Sequence, residues 1–288
     1  MQAQHPTSVP TRWALCHRGG RIVAGALPED SQEAQRPLPQ RRDFGGSFDA
    51  ESQSPKLASD WREFRAQLVA LEHVSSAGGA AALLSNPNTR WAHEIAQPEK
   101  GCLLVAKPRD LGQFTSGVVL VTEHDDLQGT SGLMVNYPTP LRISNLGLEE
   151  DISDAFGKVH LYIGGPLLRK HLHVLHGRRD VDGAIEIVEG VYAGGVESAS
   201  ELVRQRQAAP QEFRLLAGYS GWGPWQLQSE LASGLWWVVA ASPELTLELL
   251  TVGSRGELGP NPHAEALRRQ CWEKVLHAAG ITYHHLEL

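Results

Sequence analysis

Glu123 and His124 close the apolar run GVVLVTEH, and Asn136 closes the next one, GLMVN. A carboxylate, an imidazole and an amide at the ends of adjacent strands could move a proton and steady the charge that develops. The same residue types at strand ends also satisfy loop backbone groups, so convergence of the three is what the chemistry requires. A second candidate is HLHVLH, in which His171, His173 and His176 have the histidine spacing of a hydrolytic HxHxDH metal site. Leu175 stands where the carboxylate ligand belongs, and on a strand His171 and His173 share a face without a third ligand there. No metal and no cofactor is therefore expected. Ser220 in GYSGW falls short of the GxSxG elbow because Trp222 replaces the last glycine, and Ser131 in GTSGL falls short in the same way.

Gly164, Gly165 and Pro166 follow LYI and could turn backbone N–H groups toward an anion. The run lacks the fuller glycine spacing of a phosphate loop, and a tight turn or close backbone packing explains it equally. Trp222, Trp225 and Gln226 belong to GYSGWGPWQLQSEL, where a strand must give way to a helix. Rings on such a turn either pack beneath the helix or wall a groove. Trp222 is expected in the core, and Trp225, one position inside a short helix, nearer the surface.

The elements that must position these groups are legible as short β-like runs separated by Gly and Pro turns: CLLVA, GVVLVTEH, GLMVN, KVHLYIGG, HLHVL, AIEIVEGVY, FRLLAGY and LWWVVAA. Helices are expected near 197–207, over 224–232 with Pro224 at the first helical position, and from Asn261 to a stop at Gly280. So few helices among so many strands exclude strict βαβ alternation. The expected class is α+β, a mixed, curved and partly barrel-like sheet in one main domain over 91–288. Ahead of it, Asp60 and Glu63 cap a helix whose Trp61, Phe64, Leu68 and Leu71 form an apolar stripe, expected to dock on the domain. That helix and a small-residue linker fill 56–90, and residues 1–55 lack apolar periodicity and read as an unstructured segment.

Of the 288 residues 41% are hydrophobic, enough for a sizeable core. The net charge of −7 argues against binding a nucleic-acid backbone. No apolar run reaches the roughly 18–20 residues of a membrane span, so a soluble protein is expected. Cys16, Cys102 and Cys271 lie far apart, which supports neither a disulfide framework nor a cysteine zinc site and suits a reducing compartment. Six Arg against four acids in the first 45 residues leave a local charge of +2. An organelle transit peptide fits that bias, and a plain disordered tail is the alternative because the acids near Glu29 depart from the acid-poor pattern.

Taken in order, GCLLVAKP, VVLVTEH, GTSGLMVNYP, LYIGGP, VLH, FRLLAGYSGWGPWQLQSEL and the Trp-rich run near Trp236 resemble successive motifs of the AlgH/YqgE family over about residues 101–250. DWREFRAQL, NTRWAHEIAQPEKG and CWEKVL resemble its plant and algal branch, which implies a chloroplast address, with the cytoplasm or mitochondrion as alternatives. The resemblance implies an α+β fold in a single soluble domain and names no reaction. At Trp225 the chain departs from bacterial relatives, which carry a small residue there, and His171 and His173 belong to no family motif. The label of transcriptional regulator that travels with the family meets no helix-turn-helix pattern here.

Two functions follow as expectations. The first is a non-enzymatic regulatory or adaptor domain that binds a protein partner or small ligand through Glu123, His124, Asn136, Gly164, Gly165, Pro166, Trp222, Trp225 and Gln226. The second is a hydrolase or transferase with Glu123 or His124 as acid and base and an anion held near Gly164 and Gly165. A deep pocket holding His124 and Asn136 favours the enzyme, and a shallow apolar patch favours the adaptor.

Overall fold

The computed structural model describes residues 61–75, 90–108, 110–252 and 261–283. The expected tail over 1–55 and the linker after Ser75 lie outside the described residues. The strands are β1 (Ala92–Glu94), β2 (Leu103–Ala106), β3 (Val118–Asp125), β4 (Gly129–Met134), β5 (Pro138–Arg142), β6 (His160–Ile163), β7 (Leu167–His176), β8 (Ala184–Val188), β9 (Val191–Gly194), β10 (Phe213–Trp222) and β11 (Trp236–Ala241). The helices are α1 (Trp61–Ser75), α2 (Glu150–Phe156), α3 (Val196–Arg204), α4 (Gln226–Ala232), α5 (Pro243–Thr251) and α6 (Asn261–Ala278).

All eleven strands join one sheet in the order β1-β11-β2-β3-β4-β10-β7-β9-β8, with β6 on β10 and β5 on β6. Long β10 is the pivot: Phe213–Ala217 pairs with β7, and Ser220–Trp222 crosses to β4. Between the two halves the register slips at Gly218, whose φ of +71° and a 2.5 Å approach of Leu167 O to any added Cβ admit only glycine. The pairing of β6 with β10 is parallel and the others are antiparallel, so the sheet is mixed. It is also curled, since Val188 at the β8 edge packs against Gly101 just ahead of β2. The class is α+β, in one domain.

Period-two alternation sends neighbouring residues into different cores. Leu103, Leu120, Leu133 and Leu216 meet α5 and α6 on one face through Leu245, Leu249, Trp272 and Val275. On the opposite face Leu104, Val119, Val121 and Met134 meet Trp222, Leu227 and Trp236, and farther along Val174, Phe213 and Leu215 meet Phe156 and Ala199. Arg214 is a buried cation in the first of these cores, with its ring neighbour Tyr162 3.7 Å below the guanidinium. It donates to Val135 O at 3.0 Å and to the carbonyls of Leu249, Leu250 and Val252, and so caps the C-terminal end of α5. Burial lowers its pKa from the usual arginine value.

Three expectations need correction. AIEIVEGVY is not one strand but the β8–β9 hairpin, turned at Gly190 with φ +74°. The helix after GWGPW starts at Gln226 rather than Pro224, with Trp225 as its N-cap residue. The third concerns α1, whose stripe of Trp61, Phe64 and Leu68 points outward, 62%, 43% and 43% exposed. Its other face docks instead. Arg62 and Arg65 hold Glu99 at 3.2 and 2.5 Å, Arg62 donates to Gly101 O at 3.0 Å, and Arg65 Nε donates to His93 Nε2 at 3.1 Å. Two guanidinium groups with fixed acceptors decide the face, because directed charge-assisted bonds discriminate orientation where an apolar stripe does not.

Candidate functional site

The β3–β4 hairpin and the turn between β10 and α4 meet at one corner of the sheet. Asp125 Oδ1 accepts from the N–H groups of Leu127 and Gln128 at 2.8 and 2.9 Å, an Asx turn that fixes the hairpin tip. Trp225 N donates to Asp126 O at 3.3 Å, and Gln228 donates to the Asp126 carboxylate, so the two turns are tied together. His124 sits beneath them, with Nδ1 2.7 Å from Thr130 Oγ1 and Nε2 3.5 Å from Asp126 Oδ1. Glu123, on the other side of the strand, is exposed. The corner displays two large apolar side chains: Leu127, 72% exposed, and Trp225, 56% exposed.

Behind this surface lies a tryptophan cluster. Trp222 and Trp236 meet edge to face at 6.0 Å, with Phe114 5.6 Å from Trp236. Glu230 accepts both indole N–H groups, at 2.9 and 2.8 Å, and the Gln226 amide at 3.1 Å. Gln226 also accepts from Gly223 N at 3.0 Å. Trp222 is therefore core, as its place on the turn suggested, whereas Gln226 spends its polar atoms bracing the turn rather than facing a ligand. Glu230 escaped the sequence reading because one acid on a helix surface carries no local sign of its two aromatic donors.

Asn136 does not join this corner. Its Oδ1 accepts from Val118 N at 2.9 Å, and its Nδ2 donates to Ser116 O and to Arg268 O at 2.8 and 2.9 Å. It thus marks the start of β3, while His124 stands six residues further along, about 20 Å at strand rise. The convergence expected of Glu123, His124 and Asn136 is not found: Asn136 pins α6 to the sheet. Likewise Gly164 and Gly165 pack against β10, where a Cβ would lie 2.2 Å from Gly218 O and 2.1 Å from Tyr219 C. Gly164 N already donates to Ala217 O and its carbonyl accepts from Met134 N and from Ser220 Oγ, so these atoms belong to the sheet and not to an anion. Pro166 is exposed at the head of β7.

The histidines of HLHVLH divide between faces. His173 lies edge-on to Tyr219 at 6.3 Å, and burial, helped by His171, lowers its pKa to about 4. His176, on the opposite face, stacks on Tyr192 at 5.9 Å; its Nδ1 accepts from Arg178 N at 3.2 Å, which leaves Nε2 to donate to Gly194 O. Among the described residues no group of three or more His, Cys, Asp or Glu side chains is placed to hold a metal. Cys102 and Cys271 are buried thiols with pKa values raised by burial to about 12 and 11, the opposite of a reactive cysteine. No helix among the described residues is long and apolar enough to cross a membrane.

Comparison with known proteins agrees with the ordered motifs. The AlgH-like family model, DUF179, matches residues 103–284. A UPF0301 protein of Chlorobium limicola is 35% identical over 157 residues, 53% of this chain and 81% of that one. UPF0301 protein CAB604 of Chlamydia abortus is 36% identical over 149 residues, 51% of this chain and 77% of that one. Among solved structures, DIP2367 of Corynebacterium diphtheriae is 24% identical, with a TM-score of 0.47 over 66% of this chain and 95% of its own. The AlgH protein of Pseudomonas aeruginosa is 22% identical, with a TM-score of 0.42 over 60% and 97%. The chain belongs to the AlgH-like family.

Proposed function

We propose that this is a non-enzymatic adaptor domain that engages a protein partner through the corner carrying Trp225 and Leu127. The observation that supports this is the way Trp225 is held. It has φ +60°, a left-handed backbone that costs a non-glycine residue roughly 1–2 kcal/mol, and its ring is more than half exposed. An ordered tryptophan on a braced turn, beside an exposed leucine on a second braced turn, is the kind of anchor that dominates protein interfaces. His124 and Asp126, close beneath, supply a polar rim. A groove shared by Glu123, His124, Asn136 and the 164–166 turn is not part of this reading, because those groups occupy separate places in the sheet.

A photo-reactive residue at position 225 or 127, expressed in native cells, tests the proposal. Discrete crosslinked species should form from both positions and be lost from position 127 when Trp225→Ser is introduced. Equal crosslinking from an exposed control position such as 211 would reject the corner as an interface. Delivery to the chloroplast is proposed with it, on the arginine bias of the first 45 residues and the plant-like motifs. A fluorescent protein carrying residues 1–60 at its N-terminus should enter plastids, and cytosolic fluorescence alone would overturn that address.

A further inference from the structure

Away from the Trp225 corner, a cleft of about 790 Å³ opens between the α2 end and the turn that follows α3, within the size range of small-ligand sites. Three cations line it: Arg142, Lys158 and Arg206. Of the two acids beside them, Glu212 is already engaged by Arg178 at 3.1 Å and by Ala209 N at 2.6 Å, which leaves Asp154. Arg142 is aimed by its own bond to Lys158 O at 3.0 Å. For the side chains of Lys158 and Arg206 no carboxylate lies within ion-pair distance among the described residues.

The end of α3 explains why Arg206 matters. Arg206 N donates to Val203 O at 3.0 Å and Gln207 N to Leu202 O at 2.8 Å, the paired bonds of a Schellman motif. Its left-handed position is normally glycine, and here it is an arginine at φ +60°. A strained, exposed arginine whose charge finds no carboxylate partner among the described residues is an outlier that packing does not account for. Cations beyond the C-terminal ends of helices also suit the helix dipole, but a lysine on a relaxed backbone would serve that purpose.

We infer that this cleft binds a small anion, a phosphate or carboxylate group, held by Arg206 with Lys158 and Arg142. Charge-assisted, forked donation from arginine is the chemistry that recognises such groups. The test is a titration of the full chain with sodium phosphate, and separately with sodium citrate, at ionic strength held constant with sodium chloride, followed by amide NMR. Saturable shifts are expected at cleft amides such as Ser144, Gly157 and Gln207, with phosphate and citrate ranking which group is preferred. Arg206→Gly keeps the backbone turn while removing the guanidinium, so it should leave the thermal transition unlowered and weaken binding about tenfold, the loss of one charge-assisted bond. Lys158→Gln should weaken it as well. Shifts that chloride reproduces, or an Arg206→Gly protein that binds both anions as the parent does, would overturn the assignment.

Discussion

Acid should loosen α1 from the sheet, and His93 sets where. His93 is 5% exposed and stacks on Trp91 at 5.5 Å, and its Nε2 accepts from Arg65 Nε, which requires a neutral ring. Burial first, and then the charge of Arg65, lower its pKa from 6.5 to about 4; Arg62 acts in the same direction and Glu99 against it. Because the folded value lies below the unfolded one, the stabilisation is complete above pH 6.5 and is lost as pH falls through about 4. At about 1.4 kcal/mol per pKa unit the ceiling is about 3 kcal/mol. Glu99 is held low as well: burial raises its pKa, but the bonds and charges of Arg65 and Arg62 outweigh this and leave it below 4.5. His173 and His176 are lowered too, so only a difference between proteins isolates His93. Urea unfolding of the parent and of His93→Gln between pH 7.5 and 4, with hydrogen exchange read at the α1 amides, provides it. The parent should lose up to about 3 kcal/mol more than the variant across this window, with α1 exchange rising first. Parallel pH curves for the two proteins would refute the reasoning.

Removing the buried guanidinium in Arg214→Ala takes a donor from Val135 O and from the carbonyls at the end of α5, where Val252 O keeps the Tyr162 hydroxyl at 3.1 Å; at roughly 1–3 kcal/mol for each group left unsatisfied, a loss of at least about 2 kcal/mol is expected in urea unfolding. Arg214→Met tests the alternative, since stability equal to the parent would mean that the cost of burying the cation cancels its bonds. Glu230→Ala strands two buried indole donors and should cost about 2–4 kcal/mol with a changed near-ultraviolet circular dichroism spectrum, while Glu230→Gln retains most of the stability. An unchanged spectrum in Glu230→Ala would show that the tryptophan cluster packs without its acceptor.

The sheet was legible because its strands are apolar runs bounded by glycine and proline, and GWGPW announced the turn from β10 into α4. What escaped has a non-local cause. Arg214 stands in FRLLAGY as one charge in a strand, and nothing nearby in sequence shows that it reaches the end of α5, 35 residues later. Asn136 was singled out correctly as a strand-end amide, yet its partners at Val118 and Arg268 lie on two other elements, which makes it a staple rather than a catalytic group. For α1 the apolar period gave the helix but the wrong face, since periodicity cannot weigh two arginines against a half-buried glutamate 34 residues or more along the chain. At the corner site His124 and Trp225 were visible, and Asp126, which joins them, was not, because a hairpin tip rich in acids reads only as solvent-exposed.

Four non-glycine residues among those described hold a positive φ: Ser116, Leu168, Arg206 and Trp225. For Ser116 the fold supplies a reason, since its carbonyl accepts from Asn136 in the staple at the start of β3. Leu168 stands at the register shift near the head of β7, where Leu167 O and Arg169 Cα press close on Gly218. Arg206 and Trp225 differ because each stands at a helix terminus where glycine would relieve the strain, and each turns a large side chain to solvent. On the proposals made above, an anion at Arg206 and a protein surface at Trp225 are what offset that strain. The two sites flank different helices, so binding at each should respond to its own substitution alone. Loss of anion binding in a Trp225 variant would mean that strain at the two turns is coupled through β10 rather than placed independently.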